Sequence, residues 1–127
     1  MKIAIIAGEA SGDQLGGWLM EAPQTPRHAA PLTFIGIGGP RMQEQGLASL
    51  FPMSDISLIG ITEVLPHAVT IYKRIYQTLE FIERERPDVL VTIDVPGFVL
   101  RVLQRLRKRG KARPRIIHYV APTVWAL

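Results

Sequence analysis

The sequence predicts an α/β fold, a Rossmann-like parallel sheet with flanking helices, and its 127 residues fit one small domain or a piece of a larger one. Short apolar runs of strand length alternate with longer segments of helical periodicity. Each apolar run ends at or close to a glycine, a proline or an aspartate, and no internal repeat interrupts the alternation. Such alternation is typical of βαβ units, in which parallel strands form a sheet and helices cover its faces.

The elements follow from these patterns in chain order. Continuous apolar runs, expected where a strand is buried on both faces, predict strands over 1–7, 32–37, 89–93 and 116–120. A helix over 13–22 is expected to stop before Pro23, and a short helix over 41–45 is closed by Gly46. Apolar residues at three- and four-residue steps predict an amphipathic helix over 66–86 and another over 98–109, with Gly110 at its end.

Composition excludes several classes of protein. Apolar residues make up 47 % of the chain and charged residues 20 %, which does not fit a disordered, collagen-like or disulfide-rich protein. No run approaches the roughly 18 apolar residues of a membrane span, and the first residues do not fit a signal peptide, so a cytosolic location is expected. There is no cysteine, and His28, His67 and His118 lack metal-ligand spacing, so no metal site is expected.

The charge is unevenly distributed. Residues 1–100 carry 7 Lys and Arg against 11 Asp and Glu, whereas the remaining 27 residues carry 8 Lys and Arg and no acid. Arg101, Arg105 and Lys108 share the predicted helix face opposite the apolar stripe. A solvated outer face is one interpretation, but a cluster without acids favours an anionic partner, either a lipid surface or a nucleic acid.

Ligands of parallel sheets bind beyond the carboxyl ends of the strands, here residues 8–13, 38–41, 94–98 and 121–125. In Gly8-Glu9-Ala10-Ser11-Gly12-Asp13, two glycines permit a sharp turn into a helix N-terminus, which favours an anion. The alternative is a tight turn capped by Ser11 or Asp13. In Gly38-Gly39-Pro40-Arg41, the glycines admit a ligand and Arg41 offers an anion clamp, unless the segment is simply a strand-to-helix turn.

Asp94 is the strongest single candidate for chemistry. Packing alone does not favour a carboxylate directly after the apolar strand 89–93. A partly desolvated carboxylate at such an edge is suited to act as a general base. The alternative is an aspartate turn ahead of Pro96-Gly97.

Six motifs taken together resemble one family, the lipid-A-disaccharide synthases, along nearly the whole chain. They are Gly8–Asp13, Phe34–Met42, Gly60–Pro66 (Gly-Ile-Thr-Glu-Val-Leu-Pro), Pro87–Val89, Ile93–Phe98 and His118–Ala126 (His-Tyr-Val-Ala-Pro-Thr-Val-Trp-Ala). The resemblance implies the partial N-terminal domain of a two-domain glycosyltransferase-B fold. Residues 1–127 are then an incomplete acceptor-side domain, and the C-terminal UDP-sugar-binding domain is absent.

The resemblance also implies an activity in lipid A biosynthesis. The family transfers 2,3-diacylglucosamine from its UDP-linked donor to 2,3-diacylglucosamine 1-phosphate by inverting glycosyl transfer, giving lipid A disaccharide 1-phosphate and UDP. It acts at the cytosolic face of the inner membrane without metal or cofactor, so its expected partners are both acyl-sugars and an anionic membrane surface, but no nucleic acid. Asp94 is the expected base. The expected substrate-binding residues are Gly8, Glu9, Ser11, Gly12, Asp13, Gly38, Gly39 and Arg41, and the expected membrane-surface residues are Arg101, Arg105 and Lys108.

The chain departs from the family pattern in three ways. Gly97 stands where the family commonly has a second acid, and Pro23 cuts the first helix short, which leaves a shorter and looser connection between the first two strands. The chain also stops at Leu127, so a fragment without activity of its own is expected. Two other interpretations remain open from the residues. One is another sugar-nucleotide glycosyltransferase of the same fold, and the other is a basic nucleotide- or RNA-binding α/β module.

Overall fold

The computed structural model describes residues 1–22, 32–57 and 68–119. Four strands and five helices lie in these ranges, and they alternate as the sequence predicts, except for an additional short helix, α3. The elements are β1 (Lys2–Ala7), α1 (Ala10–Glu21), β2 (Thr33–Ile37), α2 (Pro40–Glu44), α3 (Ser54–Ser57), α4 (Ala68–Glu85), β3 (Val89–Ile93), α5 (Pro96–Arg109) and β4 (Arg115–Tyr119).

The four strands form one parallel sheet in the order β2-β1-β3-β4. Ile5 on β1 lies opposite Gly36 on one side and Val91 on the other, and Val91 in turn lies opposite Ile117. The chain therefore adds β2 on one side of β1 and then continues on the other side with β3 and β4. The predicted Rossmann-like parallel sheet is confirmed.

Helices cover both faces of the sheet, because alternate residues of the central strands face opposite ways. Ala4, Ile6 and Leu90 belong to one apolar cluster with buried residues of α4 and α5, while Ile5 and Val91 belong to a second with Met42 of α2. The buried stripe on α4 consists of Ile71, Ile75, Leu79 and Ile82, as the three- and four-residue spacing predicts. The same spacing also places Tyr72 in the stripe, but Tyr72 is exposed. The core is thus a three-layer α/β/α arrangement.

The start of one helix and the burial of one strand differ from the sequence prediction, and the end of a second helix agrees with it. Helix α1 begins at Ala10 rather than Asp13, so Ser11, Gly12 and Asp13 belong to the helix and not to the preceding turn. Helix α5 ends as predicted at Gly110, whose left-handed φ of 64° lets its N–H bond to the carbonyl of Leu106. Strand β4 is exposed at every residue, which corrects the expectation of a buried strand.

Candidate functional site

The candidate site is the carboxyl edge of the sheet where β1 and β3 lie side by side. Strand order reverses between these two strands, and open parallel sheets bind ligands in the crevice at such a reversal. The turn that leaves β1 at Gly8 and the turn that leaves β3 at Asp94 meet there. The Gly8 backbone is so close to Val95 that a Cβ at position 8 would overlap the valine side chain.

Asp94 occupies the carboxyl end of β3, as predicted, and is half-buried. Its backbone N–H donates to the carbonyl of Tyr119 on β4 at 3.0 Å, which continues the β3–β4 ladder by one residue. Asp94 and Val95 both have left-handed backbones, with φ of 53° and 50°. Left-handed backbone costs a non-glycine residue about 1–3 kcal/mol, and it occurs where the surrounding structure holds it in place.

Helices α1 and α5 both start at this edge. Their N-cap residues are Glu9 and Val95, and neither side chain caps its helix with a hydrogen bond. Neither Ser11 nor Asp13 is the N-cap of α1, which corrects that alternative. The first-turn N–H groups of both helices therefore lie at the edge where β1 and β3 end, an arrangement that favours negative charge.

The sequence suggests that the Asp13 carboxylate caps its own helix, but it bonds instead to the backbone at the start of α2. It is 2 % exposed, and its two oxygens accept the backbone N–H groups of Gly39, Arg41 and Met42 at 2.9, 2.9 and 3.0 Å. Asp13 on α1 therefore caps the N-terminus of α2, whose own N-cap, Gly39, has no side chain. Through this cap, Asp13 positions the turn between β2 and α2.

The turn at Gly38 and Gly39 is shaped by protein contacts. The N–H of Gly38 donates to Ser49 Oγ at 3.1 Å, and a Cβ on Gly39 would lie 2.7 Å from Asp13 Oδ2. Glycine at position 39 therefore makes room for the capping carboxylate. Pro40 is the first residue of α2, which begins and ends one residue earlier than predicted, and Arg41 is exposed beside the turn.

The predicted substrate-binding residues thus divide into two groups. Gly8, Glu9 and Ser11 lie at the β1–α1 turn and the start of α1, whereas Asp13, Gly38, Gly39 and Arg41 lie at the adjacent β2–α2 turn. Gly12 faces the sheet, where a Cβ would lie 3.2 Å from Ile93 Cγ2, so its small size serves the packing of α1. That these residues bind a substrate stays a prediction.

The basic residues of α5 begin one turn after its start, where the Arg101 guanidinium donates to the Gly97 carbonyl at 2.9 Å. Arg101 and Lys108 are exposed, whereas the guanidinium of Arg105 lies 5.7 Å from the centre of the Tyr72 ring on α4. Tyr72 is itself exposed, together with Val69 and Tyr76 on the same helix. We call this group of cations and apolar side chains the α4–α5 surface; it comprises Val69, Tyr72, Tyr76, Arg101, Arg105 and Lys108. The sequence reasoning missed its apolar part.

His118 is hydrogen-bonded but not in the core. Its Nδ1 lies 2.6 Å from Thr92 Oγ1, but the residue is exposed, like every residue of β4. Within the described ranges, no three histidine or acidic residues come together as a metal would require. His28, His67 and the predicted motifs over 60–66 and 121–126 lie outside those ranges. No helix in the described part of the chain has both the length and the apolar character that a membrane span needs.

The sequence of this chain is similar to known proteins along nearly its whole length, including the turns at this edge. A family model described as lipid-A-disaccharide synthetase matches residues 3–127. Over 126 residues, 99 % of this chain, the sequence is 54 % identical to a lipid-A-disaccharide synthase of Rhodospirillum centenum and covers 31 % of that protein. A lipid-A-disaccharide synthase of Paramagnetospirillum magneticum is 52 % identical over 99 % of this chain, which covers 32 % of it.

The chain spans about a third of the length of these curated relatives. The match extends over nearly all of the chain, so it includes the β1, β2 and β3 turns as well as the motifs outside the described residues. It favours the family that the motifs resemble over a nucleotide- or RNA-binding module and over a different glycosyltransferase of this fold. The chain belongs to the lipid-A-disaccharide synthetase family.

Proposed function

We propose that the full-length protein carrying this chain makes lipid A disaccharide 1-phosphate by inverting transfer of 2,3-diacylglucosamine from UDP to 2,3-diacylglucosamine 1-phosphate. Support comes from the family match and from relatives named lipid-A-disaccharide synthase. The observation that carries the proposal is the position of Asp94, a half-buried carboxylate at the strand-order reversal of a parallel sheet.

In this proposal Asp94 is the general base. Its carboxylate takes the proton of the acceptor hydroxyl as that oxygen forms a bond to the anomeric carbon of the donor. The bond from this carbon to the UDP oxygen breaks, and the electron pair leaves with UDP. Attack from the face opposite the leaving group inverts the anomeric carbon and gives a β linkage.

The remaining edge residues shape the acceptor side of the site in this proposal. Gly8 lies against Val95, the neighbour of Asp94, and Glu9 and Ser11 follow Gly8 at the start of α1. The first-turn N–H groups of α1 and α5 favour a phosphate at this edge. Gly38 and Arg41 border the same edge on the β2 side, and Asp13 holds their turn in place. The donor UDP is held by a second domain, and residues 1–127 alone are inactive.

The α4–α5 surface is the proposed contact with an anionic membrane at the cytosolic face of the inner membrane. It combines the cations Arg101, Arg105 and Lys108 with the exposed side chains of Val69 and Tyr72. Basic side chains near an anionic lipid surface contribute about 1 kcal/mol each, and tyrosine suits the boundary between lipid and water. A surface of this kind would bring the enzyme to acyl-sugar substrates that reside in the bilayer.

The test of the proposed base is Asp94→Asn in a full-length form carrying this sequence. Asparagine has nearly the same shape but does not accept the proton, so we expect a loss of about 10²–10⁴-fold in kcat. Disaccharide formation from the two acyl-sugars is measured, with circular dichroism to show that folding is unchanged.

Asp88→Asn is the matched control. Asp88 lies before the amino end of the same strand, and its Oδ2 accepts the Lys2 backbone N–H at 2.7 Å, a bond that an asparagine oxygen can also accept. We expect this variant to retain activity within about threefold, because it lies at the opposite edge from the ligand crevice. An Asp94→Asn enzyme as active as this control would reject Asp94 as the base.

A further inference from the structure

The turn between β3 and α5 has an unusual backbone. Asp94 and Val95 are consecutive non-glycine residues with left-handed φ angles of 53° and 50°. Among the described non-glycine residues, Arg86 alone also has a positive φ. Valine is β-branched, and a positive φ is a marked departure for such a residue. The turn must therefore be held by its neighbours.

Three contacts hold this turn. The N–H of Asp94 donates to the Tyr119 carbonyl at 3.0 Å, and the carbonyl of Val95 accepts the Val99 N–H, also at 3.0 Å. The Val95 side chain is 8 % exposed and belongs to the apolar cluster under α4 and α5. The first two contacts fix the backbone on either side of the turn, and the third fixes its side chain.

Gly8 completes the enclosure of Val95. The three heavy atoms nearest to a Cβ built on Gly8 all belong to Val95, with Val95 Cβ and Cγ1 each at 3.1 Å and Cγ2 closer still. Only a residue without a side chain leaves room for the valine in this conformation. The end of β1 thus directly limits where the turn after β3 can lie.

We propose that Gly8 and Val95 form a positioning pair that sets the location of the Asp94 carboxylate. The inference rests on the proposed role of Asp94 as general base and adds the residues through which the fold places it. Neither Gly8 nor Val95 needs to touch the reacting atoms for this role. A side chain at position 8 would push Val95, and Asp94 would move with it because the two residues share one turn.

The proposal differs from ordinary core packing in what it expects of kinetics. If Val95 only fills the core, substitutions at the pair lower stability and leave kcat unchanged in the folded enzyme. If the pair positions Asp94, the folded Gly8→Ala enzyme, whose added Cβ displaces Val95, binds both substrates with normal KM but has a reduced kcat. Misplacement of a catalytic group by about 1 Å can reduce the rate about 100-fold.

The experiment compares four variants of a full-length form: Gly8→Ala, Val95→Ala, the double variant Gly8→Ala/Val95→Ala, and the control double variant Gly8→Ala/Val99→Ala. We expect Gly8→Ala to lower kcat by about 100-fold with KM little changed. Val95→Ala removes Cγ1 and Cγ2, so the first double variant should recover most of that loss. Val99, in α5, is buried like Val95, but none of the three atoms nearest to a Cβ on Gly8 belongs to it. The control should therefore not recover activity.

Thermal unfolding of every variant separates stability from positioning. A normal kcat in Gly8→Ala, or a loss that Val95→Ala does not relieve, overturns the proposal. Equal recovery in the Val99 control also overturns it, because relief would then not depend on the contact. Asp94→Asn is measured in the same series. If this variant is fully active, Asp94 is not the base, and the positioning role falls with it. If Asp94→Asn is defective but Val95→Ala does not relieve the Gly8→Ala defect, only the positioning pair is overturned.

Discussion

Two carboxylates near the carboxyl edge, Asp13 and Asp94, differ in their surroundings and therefore in what they can do. Asp13 is almost fully buried, and three backbone N–H groups donate to its oxygens. Asp94 is half-buried in a turn at the strand-order reversal. The bonds of Asp13 therefore stabilise the fold, whereas the proposed role of Asp94 follows from its place at the edge where ligands of parallel sheets bind.

Asp13→Asn should destabilise the protein. Asparagine replaces one accepting oxygen by an NH₂ group, which faces backbone N–H donors, and it removes the charge that complements the N-terminus of α2. We expect a loss of about 2–3 kcal/mol in the free energy of unfolding, measured by urea denaturation.

The control for this variant is Asp55→Asn. Asp55 also bonds across elements, to Arg74 at 2.6 Å, but it is partly exposed, so its pair is screened by water and we expect a loss below about 1 kcal/mol. An Asp13→Asn protein no less stable than this control would show that the cap contributes little.

Sequence patterns were informative about Asp94 and uninformative about the partners of Asp13. An acid directly after an apolar strand stands out by local pattern alone. The cap joins Asp13 to residues 26 to 29 positions away, and no local signal specifies that pairing. The left-handed backbone at Val95 was equally hidden, because valine disfavours it and only contacts with β1, β4 and α5 maintain it.

At the scale of elements, strong periodicity predicted the sheet and the long helices well. The bounds of β3 agree with the prediction, since both faces of this central strand are apolar. The start of α1 was predicted three residues late, because Ser11 and Gly12 are weak helix formers and read as loop. The four-residue helix α3 was not predicted, because a helix of about one turn is too short to show an apolar stripe.

The α4–α5 surface should bind anionic vesicles. Replacing Arg101, Arg105 and Lys108 by glutamate reverses its charge and removes the contact of Arg105 with Tyr72. In co-sedimentation of full-length forms with anionic vesicles, we expect the variant to bind with an affinity at least about tenfold lower than the parent. Binding by the parent should weaken as the salt concentration rises.

A charge-matched variant tests whether position or net charge matters. Three other arginines are exposed at the opposite edge of the sheet: Arg84 in the last turn of α4, Arg86 just after α4, and Arg113 just before β4. Their replacement by glutamate changes the net charge equally. We expect this variant to keep most of the vesicle binding. An equal loss of binding in both variants would show that net charge, not position, determines the binding. If the Arg101, Arg105 and Lys108 variant loses no binding, these cations are only a solvated outer face.

At the scale of the whole molecule, the two outer strands of the described sheet differ in how they are covered. Beside β2, the N–H of Leu50 donates to the Gly36 carbonyl at 2.9 Å, and Ser49 forms a bridge with Gly36. Beside β4, no further strand lies within the described residues, and Ile116, Ile117 and Tyr119 are exposed. An exposed apolar edge strand is open to pairing with another chain.

We therefore expect a polypeptide of residues 1–127, expressed by itself, to self-associate through β4 and to form no disaccharide. Ile117 is 55 % exposed, and Ile117→Lys places a charge on the edge that opposes strand pairing, so this variant should be more nearly monomeric in analytical ultracentrifugation. Leu100→Lys makes the same kind of change at a side chain that is 57 % exposed on α5, away from the edge, and should associate like the parent. If the parent sediments as a monomer, or if both lysine variants reduce self-association equally, β4 is not the surface through which copies pair.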